Sequence, residues 1–269
     1  MRVILAAYYL VRRVWFGLFP RTVGAKGYVP SGTPLGATPT LPPAPVTWCS
    51  PRAKWGMLGN GPDPGNPSNH PNGVGDCVVA GQVHAEIAVA SYLGEPLPHP
   101  TTQAAVAAYF SMTGGADVGL NPAGVLEEWE RGTLPAPAAA VFGPGGPFVR
   151  LDPTNVEQIK SAIATFGWVG IGVNLQRAQE IQFSRGQIWR PVRDSPIVGG
   201  HWVVLTGYDA RNVGPYTLSW AKGFRSTWSF VTELAVEAYT GILPAVRQAG
   251  HYVSDVATLE AILSVLPGA

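Results

Sequence analysis

The sequence is short of charge and of cysteine, and these shortages exclude several classes of protein. Only 13% of its 269 residues are charged, about half the usual share for a soluble domain. Its 18 Lys and Arg balance 17 Asp and Glu, so it presents no basic surface of the kind that binds nucleic acid. The two cysteines, Cys49 and Cys77, belong to no CxxC pair, which excludes a disulfide framework and a zinc site with cysteine spacing. They do not indicate a redox compartment.

A long, unbroken apolar run is also missing. Residues 3–19 are largely apolar, but Arg12 and Arg13 interrupt them, and neither half reaches the roughly 18–20 apolar residues of a spanning helix. A signal peptide carries its charges before the apolar run, whereas here they lie in the middle. We interpret the segment as an amphipathic arm that docks on its own domain or on a partner subunit. A disordered arm and an arm that contacts a membrane are the alternatives.

Glycine and proline are abundant, with 33 and 26 residues, and they cluster. Residues 24–45 form a Gly/Pro/Thr-rich stretch, and because proline fixes φ and lacks an N–H, we expect an extended linker there. Residues 59–75 contain an Asp-Pro step, an Asn-Pro step and several glycines, which indicate a loop. The chain therefore divides into an arm and linker over residues 1–45 and one domain over residues 46–269.

Helices are predicted first along the chain and strands later. Asp76 is a suitable N-cap for a helix that begins at Cys77 and ends at Gly94. Further helices are predicted at about 102–112, 122–131, 154–166 and 232–242, and strands at 168–175, 201–207 and 216–220. This order indicates an α+β fold in which a helical half packs on a sheet half.

Cys77 is the candidate nucleophile. It follows a glycine-rich loop and lies in the first turn of a predicted helix, where the helix dipole stabilises a thiolate. Small residues before it leave room for the backbone of a substrate. The alternative is a buried structural cysteine, which is common in proteins.

His201 is the best-placed base among the five histidines. It opens an apolar strand directly after Gly199 and Gly200, so the strand fixes its direction and the glycines leave space around its ring. His84 lies two helical turns from Cys77, about 10 Å away, which is too far for a hydrogen bond. The remaining histidines fall in loops or lack a supporting pattern: His70, His99 and His251.

Three pieces of the sequence, in this order, resemble the papain-like cysteine peptidase superfamily: Gly75-Asp-Cys77, Gly200-His-Trp-Val-Val-Leu-Thr-Gly-Tyr-Asp209 and Leu218-Ser-Trp220. A closer resemblance is to papain-like proteins encoded by tailed phages and prophages of actinobacteria. Their run of Trp-Gly-Met, Gly-Asn and Gly-Asp-Cys appears here as Trp55-Gly-Met57, Gly59-Asn60 and Gly75-Asp-Cys77. The resemblance covers residues 41–244. It implies a papain-like fold with an antiparallel sheet half, a Cys–His hydrolase, and no metal or organic cofactor.

The resemblance also marks two departures from the family. The family places an asparagine directly before Ser-Trp, where it orients the histidine, but this chain has Leu218 there, so Asp209 is the candidate third catalytic residue. An amide side chain six residues before the cysteine helps to bind the oxyanion in the family, but this chain has Pro71. Asn60 or Asn72 is the candidate substitute, beside the backbone N–H of the cysteine.

Two functions follow from these residues. The first is a cysteine hydrolase that cleaves a peptide or amide bond in a peptide or protein substrate and is associated with a phage. The alternative is a weak or inactive papain-like module that acts as a virion structural or binding protein, with virion partners gripped by the N-terminal arm. The localisation is not indicated by the sequence itself; a virion or the host cytoplasm would follow from the phage resemblance.

Overall fold

The computed structural model describes residues 48–49, 74–95, 100–209, 211, 213–220 and 222–264. The predicted arm over residues 1–45 lies outside them. Four helices come first: α1 Cys77–Leu93, α2 Thr102–Thr113, α3 Pro122–Arg131 and α4 Ala136–Phe142. The bounds of the first three are close to the predicted ones, whereas the sequence analysis does not predict α4. The described helices include none that is long and apolar enough to cross a membrane.

Helix α1 is the central helix of the molecule. It has no polar face, because its few polar side chains are scattered among apolar ones, and every residue from Cys77 to Ala90 is buried except Glu86. A helix without a polar face is expected to be enclosed by other elements. It ends at Gly94 with φ 74°, as the sequence predicts.

The second half of the chain builds an antiparallel sheet. The strands of this half are β2 Phe148–Leu151, β3 Val169–Gln176, β4 Ile197–Tyr208, β5 Tyr216–Ser219, β6 Lys222–Arg225 and β7 Ala235–Gly241. The helices between and after them are α5 Val156–Phe166, α6 Arg177–Ser184, α7 Trp228–Leu234, α8 Pro244–Ala249 and α9 Val256–Ser264. The strand order is β2-β7-β3-β4-β5-β6, and the short strand β1, Trp48–Cys49, pairs with the end of β4. The α+β prediction, with helices packed on an antiparallel sheet, is confirmed.

The helix predicted at 232–242 is wrong. Helix α7 stops at Leu234, and the chain continues as strand β7 between β2 and β3. The local sequence favours a helix, but this segment supplies an inner strand, so its backbone groups are satisfied by two neighbouring strands. Two further bonds fix it: Thr240 donates to the carbonyl of Trp168, and the Trp168 indole donates to the carbonyl of Gly241.

The indole of Trp202 is wedged between α1 and the sheet. A Cβ atom on Gly81 of α1 would lie 2.4 Å from the indole, and one on Gly170 of β3 would lie 2.1 Å from it. Only hydrogen fits at both positions, because real Cβ atoms do not approach so closely. These two glycines therefore let α1 approach β4 closely, one helical turn below Cys77.

Candidate active site

Cys77 is the first residue of α1, and its side chain is 3% exposed. Burial raises the pKa of its thiol to about 12, and this effect outweighs the backbone N–H groups near the sulfur, which favour the thiolate. The carboxylate of Asp76 raises the pKa further. The thiol of the free protein is therefore protonated at neutral pH.

The sulfur of Cys77 meets the beginning of the apolar part of β4. The backbone N–H of Trp202 donates to Sγ over 3.4 Å, a contact between residues 125 positions apart in the chain. Because Trp202 directly follows His201, this contact brings the sulfur within one peptide unit of the backbone of His201. No hydrogen bond joins Sγ to the imidazole itself in this structure.

The ring of His201 is held on two sides. Its Nε2 lies 2.6 Å from the hydroxyl oxygen of Ser219 on β5, and its face is stacked on Trp220, with ring centroids 4.8 Å apart and an angle of 26° between the rings. The histidine is 5% exposed, and burial lowers its pKa to about 3 because the charged imidazolium loses its hydration. The imidazole is therefore neutral at pH 7. With Nε2 engaged by Ser219, Nδ1 is the ring nitrogen left for the thiol.

Ser219 is a site residue that the sequence analysis does not identify. Leu218 pairs with Val204 of β4 and is buried in the apolar core, whereas Ser219, one residue later, faces the histidine. Successive side chains of a strand point to opposite faces, so a shift of one residue exchanges a core position for a site position. That alternation is the signal in the sequence from which Ser219 could have been found.

Comparison with known proteins places the fold. No family model matches the chain, and no curated protein matches it. Among solved structures, the chain is similar to xylellain, a cysteine protease from Xylella fastidiosa, with a TM-score of 0.56 and 14% identity over 84% of this chain and 98% of that one. It is also similar to the cysteine protease and lectin-like domains of Cwp84, a surface layer associated protein of Clostridium difficile, with a TM-score of 0.57 and 13% identity over 87% of this chain and 58% of that one.

The chain has the papain-like cysteine protease fold. In this fold the first half of the chain supplies Cys77 and the second half supplies His201, and the contact between Sγ and the Trp202 N–H lies where the two halves meet. The predicted nucleophile and base are thus brought to neighbouring positions from residues 124 apart in the sequence.

Asp209 is not brought to His201. Strand β4 runs extended from His201 through Tyr208, so eight residues at about 3.3 Å each separate the two by roughly 25 Å. The Asp209 carboxylate instead forms a two-pronged ion pair with Arg225, at 2.7 and 3.3 Å. This pair lowers the pKa of Asp209, chiefly through the hydrogen bond from Arg225. Asp209 could serve as the third catalytic residue only if the chain turned back toward His201, and strand β4 makes no such turn.

The oxyanion candidates Asn60 and Asn72 lie outside the described residues, as does Pro71. What is described is the backbone at the start of α1, where the N–H groups of Cys77 and Val78 lie close to the sulfur. The first N–H groups of a helix have no partner within the helix, so they are suited to bind a negative oxygen. Among the described residues, no three His, Cys, Asp or Glu side chains lie together as metal ligands would.

Proposed function

We propose that the protein is a cysteine hydrolase that cleaves peptide or amide bonds, with Cys77 as nucleophile and His201 as general acid and base. The observation that carries the proposal is the contact between Sγ and the Trp202 N–H, beside a histidine whose ring is fixed by Ser219 and Trp220. The papain-like fold supports the same chemistry.

In the first step, Sγ attacks the carbonyl carbon of the substrate while the neutral imidazole takes the thiol proton. A concerted transfer suits this site because burial favours the uncharged forms of both groups, Cys77 and His201. The N–H of Trp202 then stabilises the negative charge on sulfur as it develops. Carbon–sulfur bond formation leaves an oxyanion, which the N–H groups of Cys77 and Val78 at the start of α1 would bind.

In the second step, the imidazolium returns its proton to the leaving amine as the carbon–nitrogen bond breaks, which leaves a thioester on Cys77. Water then attacks the thioester, His201 accepts the water proton, and this proton returns to sulfur as the carbon–sulfur bond breaks. Ser219 acts through His201 as a positioning residue. If Nδ1 is the base, Nε2 carries the proton and donates it in a hydrogen bond to the Ser219 hydroxyl, which fixes the tautomer.

The phage association is a further part of the proposal. It rests on Trp55-Gly-Met57, Gly59-Asn60 and Gly75-Asp-Cys77, and the bond cleaved would then lie in a cell-wall peptide or in a virion protein. Parallel digestions of purified peptidoglycan stem peptides and of folded proteins distinguish these two substrates.

The arm over residues 1–20 would bind a virion partner. Removing it should change the oligomeric size or the solubility of the protein, and an unchanged elution volume would contradict this role.

The alternative is a catalytically weak or inactive papain-like module with a structural or binding role. Four features of the sequence favour it: Leu218, Pro71, the Gly/Pro-rich composition and the apolar N-terminal arm. Ser219 supplies a polar partner for His201 where Leu218 cannot, and this contact favours the hydrolase over the inactive module. Pro71 lies outside the described residues.

A peptide digestion tests the proposal. The protein is incubated with a complex mixture of peptides, and new termini are identified by mass spectrometry. The wild type should generate them, whereas Cys77→Ala should generate none above the background of a buffer incubation. Equal cleavage by the wild type and Cys77→Ala would overturn the assignment of Cys77, and no cleavage by either would favour the structural module.

A further inference from the structure

The loop that leads into the nucleophile helix is tied to a second loop far away in the sequence. The backbone N–H of Gly75, two residues before Cys77, donates to the carboxylate oxygen Oδ1 of Asp117 over 2.9 Å. Asp117 lies between the end of α2 and the start of α3, 42 residues from Gly75. The bond therefore joins the approach to Cys77 to a separate part of the helical half.

The acceptor is itself held in place. The hydroxyl of Tyr109 donates to the same oxygen of Asp117 over 2.9 Å, and it accepts from the backbone N–H of Gly119 over 2.8 Å. Tyr109 is wholly buried in α2. Burial is the largest cause that raises the pKa of its phenol, so the hydroxyl remains a donor throughout the usual pH range. Two donors thus converge on one carboxylate oxygen and fix its direction.

This small network borders the approach to the nucleophile, because Gly75 precedes Cys77 by two residues. Gly75 has no side chain to anchor it, so its hydrogen bond to Asp117 restrains the entry to α1 through the backbone itself. The next peptide units carry the N–H of Cys77.

We infer that Asp117 is a positioning residue: together with Tyr109, it fixes the peptide units before Cys77 and so the direction of the Cys77 N–H and sulfur. This role rests on the proposed function, in which those two atoms bind the oxyanion and attack the carbonyl. Displacing a reacting group by about 1 Å can lower a rate by about 100-fold, so an anchor of this kind affects turnover more than substrate binding.

Kinetics of four variants test the role on the peptide that the wild type cleaves best. Asp117→Ala should lower kcat by about tenfold with KM changed less than about twofold, because the loss is one of alignment. Asp117→Asn keeps a carbonyl oxygen for both donors and should restore most of kcat, and Tyr109→Phe should give an intermediate loss. The control is Asn155→Ala, which removes a similar side-chain acceptor, for the N–H of Gln158 at the start of α5 in the sheet half of the chain. A loss of kcat in Asn155→Ala equal to that in Asp117→Ala would overturn the inference.

Amide hydrogen exchange separates this inference from the proposed function. In the whole 269-residue chain, the N–H of Gly75 should exchange at least about ten times faster in Asp117→Ala than in the wild type and should be unchanged in Asn155→Ala. Equal exchange in all three proteins would overturn the anchor, whatever the activity of Cys77. Faster exchange with unchanged kcat in an active enzyme would overturn the positioning role. Faster exchange in a protein without activity would leave the anchor standing and refute the catalytic role that it serves.

Discussion

On the nucleophile side of the candidate site, the sulfur of Cys77 meets a backbone donor, the N–H of Trp202, whereas on the histidine side the ring of His201 meets the side chains of Ser219 and Trp220. A backbone donor stays in place only if the elements that carry it stay packed together. A side-chain partner can be removed by one substitution. We therefore expect the nucleophile side to respond to changes in packing, and the histidine side to respond to changes of single polar groups.

The largest expected effect lies on the histidine side. His201→Ala removes the proposed base and should lower kcat by about 10²–10⁴-fold, the usual range for general acid–base catalysis. Steady-state cleavage of the best peptide measures this, with thermal unfolding as a check that the variant is folded. His251→Ala changes an exposed histidine and is the matched control. Activity within a few-fold of the wild type in His201→Ala would remove His201 from the mechanism.

A pH-dependent stability effect is expected from α1 itself. Glu86 accepts a hydrogen bond from the N–H of Ala245 over 2.7 Å, while its Oε2 is buried with no hydrogen-bond partner among the described residues. Burial raises its pKa from 4.5 to about 7. The folded state therefore holds this proton more tightly than the unfolded state does, and the free energy of unfolding should fall by about 3 kcal/mol as the pH rises from about 4.5 to 7.

Glu86→Gln keeps the acceptor for Ala245 but cannot titrate, so the difference between urea unfolding curves of the wild type and Glu86→Gln isolates this contribution. The comparison with a variant is needed because His201 changes the free energy of unfolding in the opposite direction. Its pKa is lowered, so its contribution to the free energy of unfolding is present above about pH 6.5 and is lost as the pH falls toward 3. A constant difference between the two proteins from pH 4.5 to 7 would contradict the raised pKa of Glu86.

Packing on the nucleophile side is tested by Gly81→Ala. The new Cβ would lie 2.4 Å from the Trp202 indole, which cannot retreat because Gly170 backs it. Overpacking typically destabilises by about 1–3 kcal/mol, and the better helix propensity of alanine offsets about 1 kcal/mol of it. Chemical denaturation should show a net loss of up to about 2 kcal/mol. Gly124→Ala, in the open first turn of α3, is the control and should be neutral or stabilising. Loss of stability in both variants would show that the wedge has no special role.

The smallest effect is expected at Ser219. Ser219→Ala should lower kcat by about tenfold because the imidazole loses one restraint but keeps its stacking on Trp220. Ser219→Thr retains the hydroxyl and should recover most of the activity. Ser264→Ala removes a hydroxyl that bonds only within its own helix and should change nothing. An unaltered kcat in Ser219→Ala would mean that the stacking alone orients the ring.

Local signals predict the helical half and much of the sheet well. The Asp76 and Gly94 positions give the bounds of α1, and glycine-bounded β-branched runs give β3 and β4 to within a few residues. Strand β7 was mistaken for a helix because its conformation is set by β2 and β3, which a local pattern does not contain. Non-local pairing overrode local propensity there.

The same limit explains which site residues were found. Cys77 and His201 each carry a local signature: a helix start for Cys77, and a glycine pair before an apolar run for His201. His201 does not open the strand as predicted, because Gly199 and Gly200 also pair with β3 and β4 begins at Ile197. Asp209 and Ser219 depend on where β4 ends and on which face of β5 points to the histidine, and both properties follow from register. One residue of register decides between Leu218 and Ser219, and motif alignment alone does not contain this information.

The most direct test of the account is the acylation of Cys77 by a small activated ester, such as the p-nitrophenyl ester of N-acetylglycine, at pH 7. Intact-mass and peptide-map measurements follow the rate and the position of the acyl group in the wild type and in His201→Ala. The account predicts a thioester on Cys77 that forms at least about 100-fold more slowly without His201, because the buried thiol needs a base to lose its proton. Acylation of Cys77 at the same rate in both proteins, or an acyl group carried by another residue in the wild type, would contradict it.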